Sequence, residues 1–469
     1  MENQEFNGSY KNVNYGKKSV RRNYSKVRTA VDLPGLIDIQ TKSFDQFVDS
    51  GLQEVFNDVS PITSFNGELK IYFVDYHFED PKFSVVESKL RKINFSRPLK
   101  ATVTLENTKT GVRVSKEVFM GDVPYMTPVG TFVINGAERV VISQIVRSSG
   151  VYYTKEIDKK TGETKFGGTV MPTRGSWIEY ETSSRGDVWY GKLNRSKKIP
   201  LTEVLRAFGL SSNKDIIDLF GNDVHFEETF KKDNTTNSDD AAIDIYAKLH
   251  MGEKATVEGA RELIYESLFN PAKYDLQKVG RFKYNQKLDV LSRAKGYALS
   301  RDVIAACDVE DAETGEILYS AGDVIAKAGE LVEGEVYDRL NKARAGYSVE
   351  INIGHDILDK HADKLCKEGE ELKTICEVLY VNVVHGDNTE EVKIIGNKNS
   401  EDALWLTMSD VVASVSYFIN LYYGVGRIDD IDHLGNRRLR LIGELLKNQF
   451  RIGFSKLRKN IEDRMSTIE

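Results

Sequence analysis

The stretch DDIDHLGNRR, Asp429 to Arg438, sets three carboxylates, an imidazole and two guanidiniums within ten residues. Carboxylates beside a histidine suit a hydrolytic metal centre. Paired arginines suit an anionic polymer. A third reading is a charged turn ahead of a helix. Spacing weakens the metal reading: adjacent side chains rarely converge on one ion, distant ligands would have to complete the shell, and Arg437 and Arg438 repel a cation.

A second enzyme-like pair, His355-Asp356 in GHDILDKHADK, resembles the doublet of HD phosphohydrolases. That doublet needs another histidine upstream and an aspartate downstream within a helical bundle. Here the pair opens a polar helix, where Asp356 suits the helix dipole. GVGR (424–427) lacks the preceding strand and the Lys-Ser/Thr of a phosphate loop. No Ser/His/Asp arrangement can be picked out, and His77, His225, His250 and His385 stand isolated. A stand-alone phosphohydrolase built on 429–433 or on His355-Asp356 is therefore the alternative reading.

Nucleic-acid chemistry has more material. Basic residues with an aromatic among them fit a strand whose bases can be splayed and stacked. The candidates are Arg147, Arg174 and Trp177 in PTRGSW, Arg195, Lys197 and Lys198 in NRSKKIP, and Arg281 and Lys283 in VGRFKYN.

These side chains need elements to hold them. Over 469 residues the formal charge is −6, which excludes a uniformly basic coat. The basic residues gather in the N-terminal arm and after Arg437, while most acid lies between Asp215 and Asp402. Such asymmetry fits an anionic partner that meets part of the surface. Cys307, Cys366 and Cys376 are far apart, which fits reduced thiols in a cytosol. No run approaches a membrane span, so a cytoplasmic protein with no membrane contact is expected.

Residues 1–30 read as a disordered basic arm. Phe44, Phe47, Val48, Leu52, Val55 and Phe56 follow the helical period. LKIYFVDYHF, KATVTLEN and VRVSKEVFM alternate like strands. In TFVINGAERVVIS, Asn135-Gly136 tolerates the positive φ of a type I′ hairpin. SWIEYE and DVWYGKL read as a further strand pair. LTEVLRAFG and KDIIDLFG form a helix pair, a weak sign of a helix-turn-helix. Residues 290–400 read as an insertion with its own small fold, including a Lys/Glu-rich helix near 355–372. Ser409 caps a helix that ends at Gly424, and Ile442 to Leu457 mark a long last helix.

Four long blocks then resemble the bacterial RNA polymerase beta subunit. They are LPGLIDIQTKSFDQFVDSGLQEVFNDVSPI (33–62), GDVPYMTPVGTFVINGAERVVISQIVRSSGVYY (121–153), KYDLQKVGRFKYNQKL (273–288) and IDDIDHLGNRRLRLIGELLKNQFRIG (428–453). Their order and spacing match the family, and the likeness spans the chain apart from the arm and parts of 290–400. The resemblance implies an α+β fold of mixed helices and antiparallel sheets, forming two domains that line one jaw of a DNA cleft. Residues 31–137 would begin the protrusion, 138–432 would form the lobe, and 433–469 would return to the protrusion. It also implies a chain cut before the fork.

The function implied is that of a subunit of DNA-directed RNA polymerase, a nucleotidyltransferase. Partners would be the alpha, beta-prime and omega subunits, sigma factor, template and nontemplate DNA and nascent RNA, in the nucleoid-associated cytoplasm. The catalytic Mg2+ is expected on beta-prime, so no catalytic residue, metal ligand or cofactor is expected in this chain. Carried over residue by residue, Asp432 accepts two hydrogen bonds from an unstacked nontemplate guanine. Ile431 and Arg437 line its pocket, with Arg147 opposite and Asn194 and Arg195 nearby. Trp177 stacks on the neighbouring base. Ile142 and Gln144 match the edge of the rifamycin pocket. Two departures stand out: Ser149 replaces the usual proline, which loosens the loop carrying Arg147, and Asn194 replaces a frequent aspartate.

Overall fold

The computed structural model describes residues 10–15, 19–25, 35–159, 162–194, 196–250, 253, 255–310, 315–366, 371–385 and 388–468. The chain divides into two compact units, 1–146 with 438–469, and 147–437. Helices and antiparallel sheets are mixed in both, an α+β architecture.

In the first unit an antiparallel sheet runs in the order Ile62–Thr63, Leu69–Phe78, Ser96–Asn107, Arg113–Pro124. Helices Asp38–Gln46 and Leu52–Val59, joined by one wide turn, and the long helix Ile442–Ile468 pack on it. Phe56 sits at the centre, stacked on Phe73 and edge-on to Phe454, with ring centroids 5.2 and 5.0 Å away. The helical period of residues 44–56 is thus a period of core contacts. The hairpin Phe132–Ile134/Ala137–Arg139 turns through Asn135 (φ 51°) and Gly136 (φ 78°), the signs a type I′ turn requires. A Cβ on Gly136 would lie 2.7 Å from the Lys92 Cα, so close approach demands glycine there as well.

The N-terminal arm differs from the disordered segment expected. Its described residues form an antiparallel hairpin, Lys11–Tyr15 with Ser19–Asn23. Tyr10 packs on Tyr24 and carries the Arg22 guanidinium 4.5 Å from its ring centre. Aromatic and cation–π contacts supply what a polar sequence lacks in aliphatic side chains.

The second unit is built on a five-stranded meander, Gly150–Ile157, Thr164–Met171, Ile178–Thr182, Trp189–Leu193 and Ile199–Pro200. Helix Met408–Asn420 crosses its core with every residue buried. Thr407, not Ser409, caps that helix, in a reciprocal box with Asp410; Ser409 is the second residue of the helix, within its first turn. Helix Leu201–Ala207 is also buried on all sides, while its neighbour Asn213–Phe220 buries Ile216, Leu219 and Phe220 and turns Lys214, Asp215 and Asp218 outward.

Residues 290–400 do gather a second core around Leu299, Ile325, Leu340 and Val381. Ile353, Leu358, Cys376 and Ile395 of the same segment belong instead to the main core of the unit. The helix expected near 355–372 is broken into the short turns His355–Leu358, Asp359–His361 and Ala362–Leu365; residues 367–370 lie outside the described set. Its charged sequence offers few apolar contacts to prolong a helix.

Candidate nucleic-acid interface

Every described candidate except Ile142, Gln144 and Arg438 lies in the second unit, and helix Gln277–Leu288 braces the segments that carry Arg147, Trp177 and Asp432. The helix buries Gly280, Arg281, Tyr284 and Leu288 along one face. Arg281 therefore faces inward and cannot meet a nucleic acid, as its sequence neighbourhood had suggested. It donates to both oxygens of Asp410 at 2.9 Å and to the Ala403 carbonyl at 2.5 Å. Sequence alone does not separate a buried arginine from an exposed one; its partner is 129 positions away.

Three segments converge on this helix. The first carries Arg147, which is exposed. Strands Gln144–Arg147 and Arg437–Arg440 pair, and Ser148 donates its N–H to the Asn436 carbonyl at 3.0 Å. Ser149 does not loosen this loop. It is buried, and its hydroxyl donates to the Leu276 carbonyl at 2.9 Å, a bond proline could not make. A Cβ on Gly280 would come 2.4 Å from that hydroxyl, so the helix approaches the loop backbone closely.

The second segment carries Trp177. Thr173 and Arg174 donate their N–H groups to the Asp275 carbonyl at 2.9 and 3.0 Å, and the Thr173 hydroxyl shares the Leu276 carbonyl with Ser149. Trp177 is half-buried. Its carbonyl accepts the N–H of Asn194 at 2.8 Å, across a turn where Asn194 holds φ +49°. Asparagine tolerates that left-handed conformation better than most residues, so here it shapes the turn beneath the tryptophan. Arg195 lies outside the described residues. Lys198 pairs with Glu181 at 2.9 Å, while Lys197 is exposed.

The third segment is 427–437. Asp429 has both oxygens engaged by the protein: one accepts the Tyr153 N–H at 2.9 Å and the other the Lys287 ammonium at 2.8 Å. Asp430 accepts the Asp432 N–H at 2.9 Å, and the His433 ring nitrogen accepts the Gly435 N–H at 3.0 Å. The acids and histidine thus fold the turn onto itself. Ile431 is half-buried. Asp432 projects outward, its side chain 80% exposed, and one oxygen meets the Arg437 guanidinium. Arg438 turns away to grip Glu444 with two bonds of 2.5 and 2.6 Å.

The alternative hydrolase loses its other centre too. His355 pairs with Asp359 at 3.1 Å and Asp356 with Arg261 at 3.0 Å. Among the described residues no group of three or more His, Cys, Asp and Glu side chains is placed to hold a metal ion. Nor is any helix among them long and apolar enough to cross a membrane.

Ile142 and Gln144 are exposed in the first unit, where Gln40 donates to the neighbouring Val141 carbonyl at 3.1 Å. Lys287, Tyr153 and Gly280 escaped the sequence reading as builders of the site. Gly280 and Lys287 sit inside the block 273–288, but only the fold shows what they touch.

Comparison with known proteins identifies the family. The sequence model of the family described as RNA polymerase beta subunit matches residues 35–469. A DNA-directed RNA polymerase subunit beta from Acholeplasma laidlawii is 46% identical over 514 residues, covering 98% of this chain and 40% of that protein. The protein of that name from Listeria innocua is 43% identical, covering 97% of this chain and 36% of its own length. That from Onion yellows phytoplasma is 40% identical, covering 98% and 40%. The chain thus spans about two-fifths of the length of the curated relatives it matches. With a family match running from residue 35 to residue 469, the chain belongs to the RNA polymerase beta subunit family.

Proposed function

We propose that this chain acts as the N-terminal portion of the beta subunit of a DNA-dependent RNA polymerase, forming one jaw of the DNA cleft and holding unstacked nontemplate bases. The first unit serves as the protrusion and the second as the lobe. Its partners are the alpha, beta-prime and omega subunits, sigma factor, both DNA strands and the nascent RNA, in the cytoplasm. Two-metal phosphoryl transfer belongs to Mg2+ held by beta-prime; this chain binds and orients the strand. Ile142 and Gln144 form one edge of the rifamycin pocket.

The observation that carries the reading is the outward Asp432 carboxylate on a turn braced beside Arg147 and Arg437. A carboxylate can accept from guanine N1–H and N2–H together, and no other base offers that pair of donors on one edge. The exposed contact to Arg437 is a weak competitor, because such pairs contribute about 0–1 kcal/mol. Arg147 and Arg437 supply positive charge to the strand, and Trp177 gives a face on which the adjacent base stacks. The test is a bubble-binding comparison in the complete polymerase containing this chain, with guanine or adenine at the downstream nontemplate position. Asp432→Ala should abolish the guanine preference; an unchanged preference would remove Asp432 from the role.

A further inference from the structure

We propose that Lys283 and Lys287 are positioning residues for base discrimination by the 427–437 turn, although neither is placed to touch the base. The inference rests on the reading of Asp432 given above and extends it to the scaffold.

The two lysines are spaced i, i+4 on helix Gln277–Leu288, so their side chains leave the same face about 6 Å apart along the axis. Each holds a different end of the turn. The Lys287 ammonium donates to the Asp429 carboxylate at 2.8 Å and to the Arg427 carbonyl at 3.1 Å. The Lys283 ammonium donates to the Gly435 carbonyl at 2.8 Å. Asp432 lies between these fixed points.

The first anchor is enclosed. Lys287 and Asp429 are 19% and 18% exposed, against 80% for Asp432, so solvent screens the anchor far less than the tip. Asp429 and Tyr153 also exchange backbone and side-chain bonds, the Asp429 N–H reaching the Tyr153 carbonyl at 2.8 Å. Tyr417 fixes Arg427 from the other side, its hydroxyl accepting the Arg427 N–H at 2.7 Å and donating to the carbonyl at 3.0 Å. The helix itself cannot drift, because Arg281 ties it to Asp410 inside the core.

The tip keeps its own shape without the lysines. Besides the Asp430 and His433 bonds, Asn436 donates its side-chain amide to the Asp430 carbonyl at 2.7 Å. Removing a lysine should therefore let a preformed turn shift as a unit. A two-bond contact to a base edge tolerates only about 0.5 Å of misplacement, so selectivity should suffer while the fold persists.

The test uses the complete polymerase containing this chain. Binding is measured to two bubbles that differ only in guanine or adenine at the downstream nontemplate position. The variants are Lys287→Met, Lys283→Met, the double variant, Lys287→Arg and Asp432→Ala. The double variant should reduce the guanine preference about tenfold, the scale of one bidentate base contact. Its affinity for the adenine bubble should stay within about twofold, the scale of a substitution that leaves the strand-contacting side chains in place. Lys287→Arg should keep the preference, since it can still reach Asp429. Lys283→Met leaves no buried carboxylate unpaired and gives the same readout if Lys287→Met fails to assemble. Equal weakening on both bubbles would make the lysines ordinary phosphate contacts and overturn the proposal. So would an intact preference in the double variant while Asp432→Ala loses it, and there the reading of Asp432 survives. An intact preference in Asp432→Ala would remove that reading and this inference together.

Discussion

Two arginine–aspartate pairs in the second unit do opposite work with the same chemistry. Arg281 and Asp410 are 1% and 0% exposed, and both carboxylate oxygens are held at 2.9 Å. Asp410 also accepts from the side-chain amides of Asn397 and Asn399 at 2.8 and 2.9 Å and from the Thr407 N–H at 3.1 Å. Arg437 and Asp432 are 38% and 80% exposed and meet through one oxygen. A buried pair with every lone pair engaged cannot be exchanged for a ligand without unpairing a charge in the interior. An exposed pair sits close to neutral in free energy, so a guanine edge can displace or share it. Burial, more than residue type, separates a brace from a recognition element here.

The difference can be pressed by substitution. The largest effect is expected at Asp410→Ala, which strands Arg281 in the core. Urea unfolding should show a loss of about 3–5 kcal/mol. A value under about 1 kcal/mol would mean the pair is not the brace described. Next comes Trp177→Ala. In bubble binding it should cost about 1–3 kcal/mol whatever base adjoins the guanine position, because stacking ignores sequence. A loss confined to one base would point to edge recognition instead.

A pH effect of intermediate size is expected from another buried carboxyl. Burial pushes Glu377 up to about 7 from an ordinary 4.5, against the pull of Arg344 at 2.9 Å. The folded state therefore keeps a proton that the unfolded chain releases. This contribution is complete below about 4.5 and is lost as pH rises through about 7. Unfolding midpoints across that range should decline, and Glu377→Gln should flatten the slope. An unchanged slope would show that Glu377 ionises normally. The smallest effect is expected at Arg437→Ala: stability within about 0.5 kcal/mol of the parent, with the salt slope of DNA binding reduced by about one. A large stability loss would place Arg437 with Arg281.

Local backbone chemistry was open to reading from the sequence. Asn135-Gly136 announced a type I′ turn because both residues accept positive φ, and LKIYFVDYHF announced Leu69–Phe78 through its alternation. The long blocks around DDIDHLGNRR marked the family. What stayed hidden depends on distant partners. Arg281 looked like a nucleic-acid contact until Asp410 was seen beside it. Ser149 looked like a loosening of the loop until its hydroxyl met Leu276. The helix cap moved from Ser409 to Thr407 because only Thr407 stands three residues ahead of Asp410. The N-terminal hairpin depends on Tyr10 meeting Arg22 and Tyr24, contacts that a count of charges does not reveal.

Inosine tests the central claim most directly, since it keeps the guanine N1–H and lacks only the 2-amino group. The complete polymerase containing this chain should bind a bubble with guanine at the downstream nontemplate position more tightly than one with inosine, and inosine more tightly than adenine. Asp432→Ala should bring all three to one affinity. If Asp432→Ala preserved the order guanine, inosine, adenine, the turn at 427–437 would not be reading the base.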